Sequence, residues 1–280
     1  MEPILKIEHL SVSFTQYDRG ARRRQLHVVK DLSLAVMPGQ IAAVVGASGS
    51  GKSLLAHSIL GILPYNSRAE GTIFYDGEPL TQERAKALRG REIFLIPQGV
   101  TYLDPLMKVG PQLRKGRKDA GTEERCRAAL LRYGLGPETE ELYPFELSGG
   151  MARRVLIASA VTEKPRLIIA DEPTPGLDTG AAKRILGHFR ELADEGAGIL
   201  FITHDLELAL TVADDVTVFY EGETIEQAKA SDFEKVENLR HPYTRALWHA
   251  MPEHGFRVMP DPEDGKQVQR DNKNESGTDV

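Results

Sequence analysis

An eight-residue stretch, Gly46-Ala47-Ser48-Gly49-Ser50-Gly51-Lys52-Ser53, has the residue types and the spacing of a loop that binds phosphate groups. Glycines let the backbone turn tightly, so that successive N–H groups converge on phosphate oxygens. The lysine can reach the β- and γ-phosphates, and the Ser53 hydroxyl is placed to ligate Mg²⁺. An apolar run at residues 41–45 predicts a strand before the loop, and residues 54–60 predict a helix after it. The stretch therefore predicts binding of a nucleoside triphosphate with Mg²⁺.

Further polar groups follow other apolar runs that predict strands. Asp171 and Glu172 come directly after residues 166–170, and His204 comes after residues 198–202. A carboxylate at the end of a strand can hold Mg²⁺ directly or through water, and we predict this role for Asp171. Glu172 is the better candidate for the group that orients or deprotonates the attacking water. His204 is placed to hydrogen-bond the γ-phosphate, although a histidine at a strand end is more often an ordinary surface or packed residue.

A second glycine-rich stretch, Leu147-Ser148-Gly149-Gly150, precedes a predicted helix at residues 151–161. A serine followed by two glycines at a helix N-terminus forms a second place where backbone N–H groups can bind an anion. The chain thus has two such helix starts but only one lysine-bearing loop. We therefore expect Ser148, Gly149 and Gly150 to contact a nucleotide that another chain holds.

Strands and helices alternate along most of the chain, which predicts a mainly parallel sheet. Polar residues follow four of the apolar runs, after Val45, Ile96, Ala170 and Ile202, and ligands gather at the carboxyl ends of parallel strands. Residues 5–14 and 26–36 also predict strands, with a polar loop at residues 16–25 between them. Asp76-Gly77 predicts a hairpin turn. Residues 99–143 have a different composition, which predicts a helical insertion.

Composition excludes several classes of protein. The 280 residues are 41% hydrophobic and 27% charged, as in an ordinary globular protein, and the net charge of −6 argues against a nucleic-acid partner. The single cysteine, Cys126, excludes an internal disulfide and a four-cysteine metal site. No apolar run approaches 18 residues and the N-terminus lacks the apolar segment of a signal peptide. Any attachment to a membrane is therefore expected to depend on other proteins.

Taken together, the motifs resemble those of the ATP-binding subunits of ABC transporters over about residues 5–252. The resemblance implies an α/β fold: a P-loop NTPase core with a mainly parallel sheet, an N-terminal antiparallel β part and a helical insertion. It implies ATP and Mg²⁺ as ligands and places Gln98 near both the metal and the reacting water. It makes residues 147–150 the family signature, Asp178 the nucleotide-contacting aspartate of the D-loop, and His204 the switch histidine.

The same resemblance implies that Phe14 stacks on adenine. Tyr17 is the alternative, and the competing interpretation of Phe14 is a residue of the core.

A closer resemblance is to the peptide/nickel class of importers that depend on a binding protein. Met151 follows the signature as in that class, residues 141–146 are similar to those of nickel-importer ATPases, and residues 241–247 resemble the C-terminal extension of the class. Three positions depart from the pattern: Gly176 in the D-loop, Arg153 where glutamine is usual, and residues 99–101, which lack the usual acidic residue and proline. We expect the additional glycine to loosen the contact between chains and to slow turnover.

The resemblance divides the chain into five segments. Residues 1–98 and 151–225 form the ATPase core, residues 99–150 the helical signature subdomain, residues 226–262 the extension, and residues 263–280 a disordered tail. It implies a second ATPase subunit (a copy or a paralogue), two membrane permease subunits and, indirectly, an extracellular or periplasmic binding protein, with this chain on the cytoplasmic face of the membrane. The cargo, whether a peptide, nickel or a metal chelate, stays open.

The alternatives are other uses of the same ATPase. One is a soluble ABC ATPase that serves a multi-subunit enzyme, such as the accessory proteins of carbon–phosphorus lyase. Another is a DNA-repair or translation ABC protein, which the negative charge and the single nucleotide domain disfavour.

Overall fold

The computed structural model describes residues 2–18 and 22–254. The strands are β1 (Leu5–Asp18), β2 (Arg22–Val36), β3 (Ile41–Val45), β4 (Ser67–Tyr75), β5 (Glu78–Pro79), β6 (Ile93–Ile96), β7 (Leu167–Asp171), β8 (Gly198–Thr203), β9 (Asp215–Tyr220) and β10 (Glu223–Lys229). The α-helices are α1 (Lys52–Leu60), α2 (Gln82–Leu88), α3 (Val109–Arg114), α4 (Ala120–Arg132), α5 (Gly149–Val161), α6 (Thr179–Asp194), α7 (Leu206–Leu210) and α8 (Pro242–Ala250). Among the described residues, no helix combines the length and the apolar character needed to cross a membrane.

All ten strands form one mixed sheet in the order β5-β4-β1-β2-β10-β9-β3-β8-β7-β6. The N-terminal strands β5, β4, β1 and β2 pair antiparallel, whereas β9, β3, β8, β7 and β6 pair parallel. Between the two parts, β10 pairs antiparallel with β9 and parallel with β2. The sheet confirms the predicted α/β class with an antiparallel N-terminal part.

Apolar layers cover both faces of the central strands, and every residue of β3, β7 and β8 is buried. Alternate residues of β3 point to opposite layers. Ile41, Ala43 and Val45 pack in a cluster with α5 and α6, whereas Ala42 and Val44 pack in a cluster with α1, β1 and β2. Because both faces are covered, the loops at the strand ends are left as the place for polar chemistry.

The helical region between β6 and β7 contains α3, α4 and α5. Asp119 caps α4 by accepting a hydrogen bond from the N–H of Thr122, and α4 packs beside α5. The buried carboxylate of Glu140 accepts hydrogen bonds from Arg114 and Arg127, which joins the following segment to α3 and α4. The region matches the predicted insertion, and its last helix begins at the second glycine-rich stretch.

Three elements differ from the predictions. The loop predicted at residues 16–25 was wrong in extent, because β1 continues to Asp18 and β2 begins at Arg22. Backbone hydrogen bonds hold this ladder, so it needs no apolar alternation. The short polar strand β10 and helix α8 carry no strong apolar pattern and were not predicted. Residues 255–262 of the predicted extension, and the predicted tail at 263–280, lie outside the described residues.

The turn at Asp76-Gly77 is confirmed. Both residues have positive φ, 52° and 76°, as a two-residue hairpin turn requires, and the turn joins β4 to β5.

Candidate functional site

The phosphate-binding loop connects β3 to α1, as the sequence predicts. A Cβ atom on Gly46 would lie 2.1 Å from the carbonyl oxygen of Phe219 on β9, so only glycine fits at the start of the loop. Gly51, at the N-cap of α1, has φ of 101°, which also favours glycine. The glycines therefore hold the loop close to the sheet, beside the N-terminus of α1, where the N–H groups of a helix can bind a phosphate.

Lys52 is buried within the loop. Its Nζ donates hydrogen bonds to the carbonyl oxygens of Gly46 and Ala47, both at 2.8 Å. Burial lowers the pKa of the Lys52 ammonium, and the nearby carboxylates of Glu172 and Asp171 act in the opposite direction. The positive charge thus lies between the phosphate loop and the two acidic residues.

Asp171 is the last residue of β7 and is buried. Burial raises the pKa of its carboxyl group, and a hydrogen bond from the Ser53 hydroxyl acts against this rise. Its Oδ1 atom has no hydrogen-bond partner among the described residues. An orphaned carboxylate oxygen beside a serine hydroxyl suits a hard divalent cation such as Mg²⁺.

Glu172 has the left-handed backbone conformation, with φ of 48°, and its N–H donates to the carbonyl oxygen of Ile202 on the neighbouring strand. The Nδ1 atom of His204 lies 2.7 and 2.8 Å from the two carboxylate oxygens of Glu172. The Glu172 side chain is buried, whereas 56% of the His204 side chain is exposed. His204 thereby fixes the orientation of a carboxylate that sequence reasoning assigned to water activation.

Lys52, Ser53, Asp171 and Glu172 meet in a cleft of about 280 Å³ at the carboxyl ends of the strands, whereas His204 contacts Glu172 but does not line the cleft. The side chain of Gln98, which follows β6, is exposed at this cleft. The residues that line the cleft are Val28, Ser48, Gly49, Gly51, Lys52, Ser53, Leu54, Gln98, Asp171 and Glu172. Sequence reasoning missed Val28, and the signal was weak because it is one apolar residue in a strand.

The signature residues and Asp178 do not line this cleft. Ser148 caps α5 by accepting a hydrogen bond from the N–H of Met151, and Asp178 caps α6 by accepting one from Ala181. Ser148, Gly149 and Asp178 are exposed, and the two stretches are adjacent: a Cβ atom on Gly150 would lie 3.7 Å from the carbonyl oxygen of Gly176. Gly176 has φ of 78°, a conformation that favours glycine over the alanine usual in the class. Signature and D-loop thus form one surface apart from the chain's own phosphate loop.

Phe14 does not line the cleft either. It lies on β1, opposite Leu26 and Ser67 of the flanking strands, and packs partly buried against the apolar cluster that contains α1. Nothing is described of the Tyr17 side chain. Stacking of Phe14 on adenine stays a prediction.

Arg153 is a site residue that sequence reasoning noticed only as a departure from a pattern. The side chain is buried on α5, and its guanidinium donates to the carbonyl oxygens of Pro97, Gln98 and Glu172. The available signal was a charged residue on the face of α5 that also carries Ala152, Val155 and Leu156.

A family model described as ABC transporter matches residues 29–175, just over half of the chain. The chain belongs to the ABC transporter family.

Relatives of known name place this ABC transporter protein within a class. It is 36% identical over 269 residues to the probable D,D-dipeptide transport ATP-binding protein DdpD of Escherichia coli, with 91% of this chain and 80% of that protein covered. It is 37% identical over 266 residues to the oligopeptide transport ATP-binding protein OppD of Lactococcus lactis subsp. cremoris, with 90% and 76% covered. It is therefore an ABC transporter ATP-binding protein of the oligopeptide/dipeptide class, an ATPase whose hydrolysis is coupled to transport.

A solved structure supports the fold. The dimeric post-hydrolysis structure of the ATP-binding cassette MJ0796, bound to ADP and Pi, superimposes with a TM-score of 0.70 at 24% identity, over 81% of this chain and 98% of that chain.

Proposed function

We propose that this ABC ATPase powers the import of peptides, with the cleft between the phosphate loop and β7 as its site of ATP hydrolysis. The observation that carries the proposal is the convergence of Lys52, Ser53, Gln98, Asp171 and Glu172 on one cleft. The cargo follows from the relatives, whose names refer to D,D-dipeptides and oligopeptides. Nickel or a metal chelate remains a prediction that no named relative among these supports.

The residues of the cleft divide the work of phosphoryl transfer. The N–H groups of residues 46–53 and the Lys52 ammonium hold the β- and γ-phosphates. Ser53, Gln98 and Asp171 are the residues that would hold Mg²⁺, and the orphaned Oδ1 atom of Asp171 supports this assignment. The bound metal supplies charge neutralisation on the phosphate oxygens. Glu172 accepts a proton from, or orients, the attacking water, and His204 fixes Glu172 and contacts the γ-phosphate.

A second chain completes the site. Ser148, Gly149 and Asp178 are exposed, Gly150 is half-buried, and all four lie away from the cleft of their own chain, so they are available to the nucleotide of a partner. A γ-phosphate bridging two chains stabilises the closed dimer, and hydrolysis removes that contact. The partner is a second copy or a paralogous subunit. Phe14, which lies on β1 outside the cleft, would supply a stacking face for adenine.

The membrane partners dock on what we call the docking patch, formed by Tyr102, Leu106, Met107 and Phe145. These four side chains are exposed although they are apolar, and all lie in the helical region. A hydrogen bond of 2.9 Å from the N–H of Val109 to the carbonyl oxygen of Leu142 joins the two segments, and Phe145 stacks on Tyr143. Two permease subunits would contact this patch of each ATPase on the cytoplasmic face of the membrane, and an extracellular or periplasmic binding protein would deliver the cargo.

A role in a multi-subunit metabolic enzyme is the alternative. It is less well supported, because the relatives described above are transport proteins. The net charge of −6 argues against a nucleic-acid partner, because a phosphate backbone requires a basic surface.

Glu172→Gln tests the proposed site. The amide nearly preserves the volume of the side chain but cannot accept a proton, so the rate of ATP hydrolysis should fall by about 10²- to 10⁴-fold. Affinity for ATP·Mg should be retained, because Lys52, Ser53 and Asp171 are unchanged. Sizing chromatography of the variant with its ATPase partner and ATP·Mg should show a closed dimer that accumulates.

Glu221→Gln is the matched control. Glu221 also has φ of 48°, but it is exposed and lies outside the cleft. A Glu172→Gln protein that hydrolyses ATP as fast as this control would overturn the assignment of Glu172.

A further inference from the structure

Arg153 connects three segments of the chain that lie far apart in sequence. One terminal nitrogen donates to the carbonyl oxygens of Pro97, at 3.2 Å, and Glu172, at 2.8 Å. The other donates to the carbonyl oxygen of Gln98 at 2.6 Å. Pro97 and Gln98 follow β6, Glu172 follows the adjacent strand β7, and Arg153 itself lies one turn after the signature on α5.

The acidic groups nearest to the charge of Arg153 are Glu172 and Asp171 at the hydrolysis site, and not residues of its own helix. The side chain is buried and makes no ion pair among those found in the described residues. Burial lowers the pKa of the guanidinium, and the carboxylates of Glu172 and Asp171 oppose this effect. A neutral side chain with one amide group could not supply both the charge and three hydrogen bonds.

The adjacent arginine points the other way. Arg154 donates to the carbonyl oxygens of Tyr133 and Gly134 at the end of α4, each at 3.1 Å. Arg154 therefore connects α5 to the end of α4, and Arg153 connects α5 to the hydrolysis site.

We infer that Arg153 is a positioning residue that couples the hydrolysis site of this chain to its own signature, which contacts the partner's nucleotide. A movement of the Gln98 or Glu172 backbone must displace the guanidinium, and with it α5 and Ser148 at the start of that helix. The inference rests on the proposed function, because it needs Glu172 in the reaction and Ser148 at the partner's nucleotide.

The test uses the full chain with its ATPase partner and the variants Arg153→Lys, Arg153→Gln and Arg153→Met. Loss of alignment at a catalytic carboxylate costs about 10- to 100-fold in rate, so Arg153→Met should lower kcat to that extent. The Kd for ATP·Mg should change by less than about 3-fold, because no phosphate contact is removed. In the Glu172→Gln background, the ATP concentration for half-maximal dimer closure should rise about 10-fold. Arg153→Lys, which keeps the charge but not the fork of donors, should fall between parent and Arg153→Met.

Arg190→Lys is the matched control for a purely structural effect. The guanidinium of Arg190 likewise makes three hydrogen bonds, to Asp194, Asp214 and the carbonyl oxygen of Gly39, but away from the cleft. Its variant should lower Tm while leaving kcat and closure at parental values.

Parental kcat and closure in Arg153→Gln and Arg153→Met would overturn the inference, as would losses that merely follow Tm as in the Arg190→Lys control. If Arg153→Met does not fold, Arg153→Lys and Arg153→Gln decide by the same criteria. Slow hydrolysis by Glu172→Gln beside parental Arg153 variants would refute the coupling alone, whereas rapid hydrolysis by Glu172→Gln would refute the proposed site.

Discussion

At the scale of single residues, the cleft and the Arg153 side chain next to it form a cluster of buried charges of both signs. Lys52 and Arg153 are each 6% exposed, Asp171 is 4% exposed and Glu172 is 7% exposed. Removing ionised groups from water costs more than their mutual attraction commonly returns, so such a cluster is weak evidence for stability. The pKa values of Lys52 and Asp171 are shifted, and perturbed ionisable groups gathered in a cleft instead indicate a functional site. We therefore expect stability and function to respond oppositely to substitutions here.

Asp171→Asn should have opposite effects on stability and on nucleotide binding. Because burial raises the pKa of Asp171, the ionised carboxylate destabilises the fold, and this cost is complete above the raised pKa and disappears as the pH falls towards the ordinary carboxyl range. The variant should thus have a higher Tm than the parent without nucleotide, by more at pH 8 than at pH 4.5. It should lose the rise in Tm that ATP·Mg gives the parent. Thermal melts at both pH values, with and without ATP·Mg, measure these differences.

Asp178→Asn serves as the control of opposite sign. A backbone hydrogen bond from Ala181 lowers the pKa of Asp178, so its ionised form stabilises the fold, and this contribution is lost only as the pH falls through the lowered pKa. Its variant should lose stability to a similar extent at pH 8 and pH 4.5. A lower Tm for Asp171→Asn at pH 8 would contradict the cost assigned to the buried carboxylate.

At the scale of elements, predictability follows from how each element is stabilised. The strands β3, β7 and β8 were predicted because strands buried on both faces form continuous apolar runs. Lys52, Ser53, Asp171 and Glu172 were placed by their position after such runs. The polar strand β10 and the ends of β1 and β2 are held by backbone pairing in hairpins, β10 with β9 and β1 with β2, which composition does not reveal. The contacts of Arg153 reach across about 55 residues of sequence, beyond any local pattern.

Helix α8 illustrates the same dependence on a distant partner. The buried carboxylate of Glu226 on β10 accepts hydrogen bonds from the N–H groups of Arg240, at 2.6 Å, and His241, at 3.0 Å. Glu226→Ala would leave both N–H groups without this acceptor, so the free energy of unfolding should fall by about 1–3 kcal/mol. Urea unfolding measures the loss, and amide exchange at residues 240 and 241 should become faster.

Glu223→Ala provides the comparison on the same strand. Glu223 is exposed and its nearest cation, Lys30, is 3.5 Å away, so this change should alter stability by no more than about 0.5 kcal/mol. Equal effects of the two substitutions would show that Glu226 does not anchor α8.

At the scale of the whole molecule, the chain presents two surfaces with different tasks. One carries the signature and the D-loop, both exposed and adjacent, and the other is the docking patch in the helical region. Both belong to the region between Gln98 and Asp178, while the phosphate loop belongs to the sheet. If both surfaces act as proposed, one region would contact a partner ATPase and a membrane subunit together.

Phe145→Asp should uncouple the docking patch from the nucleotide site. A charge at the centre of an apolar contact should lower co-purification with the membrane subunits by about 10-fold or more. The Kd for ATP·Mg should stay at the parental value, because Phe145 is not among the residues that line the cleft.

Tyr65→Asp is the control, since Tyr65 is a fully exposed aromatic residue outside the helical region. Undiminished co-purification of Phe145→Asp, or an equal loss in the control, would exclude the patch as the docking surface.

The junction between β2 and β10 has a consequence for how the molecule resists force. In the described residues, the backbone pairing there is one registered pair, Glu223 with Asp31, together with the bonds that Gly222 accepts from Lys30 and Asp31. Side chains add bonds from Ser33 N–H to Thr224 and from Gln227 to the Ser33 carbonyl oxygen, and an ion pair between Lys30 and Glu223. Side-chain contacts hold the two strands together over the rest of their length. We call this junction, with its few backbone hydrogen bonds, the seam. Phe14 lies on one side of the seam and the phosphate loop on the other. A nucleotide bound by Phe14 and by the phosphate loop would connect the two parts of the sheet. We therefore expect an unfoldase that pulls on the chain to separate them more readily in the protein without nucleotide.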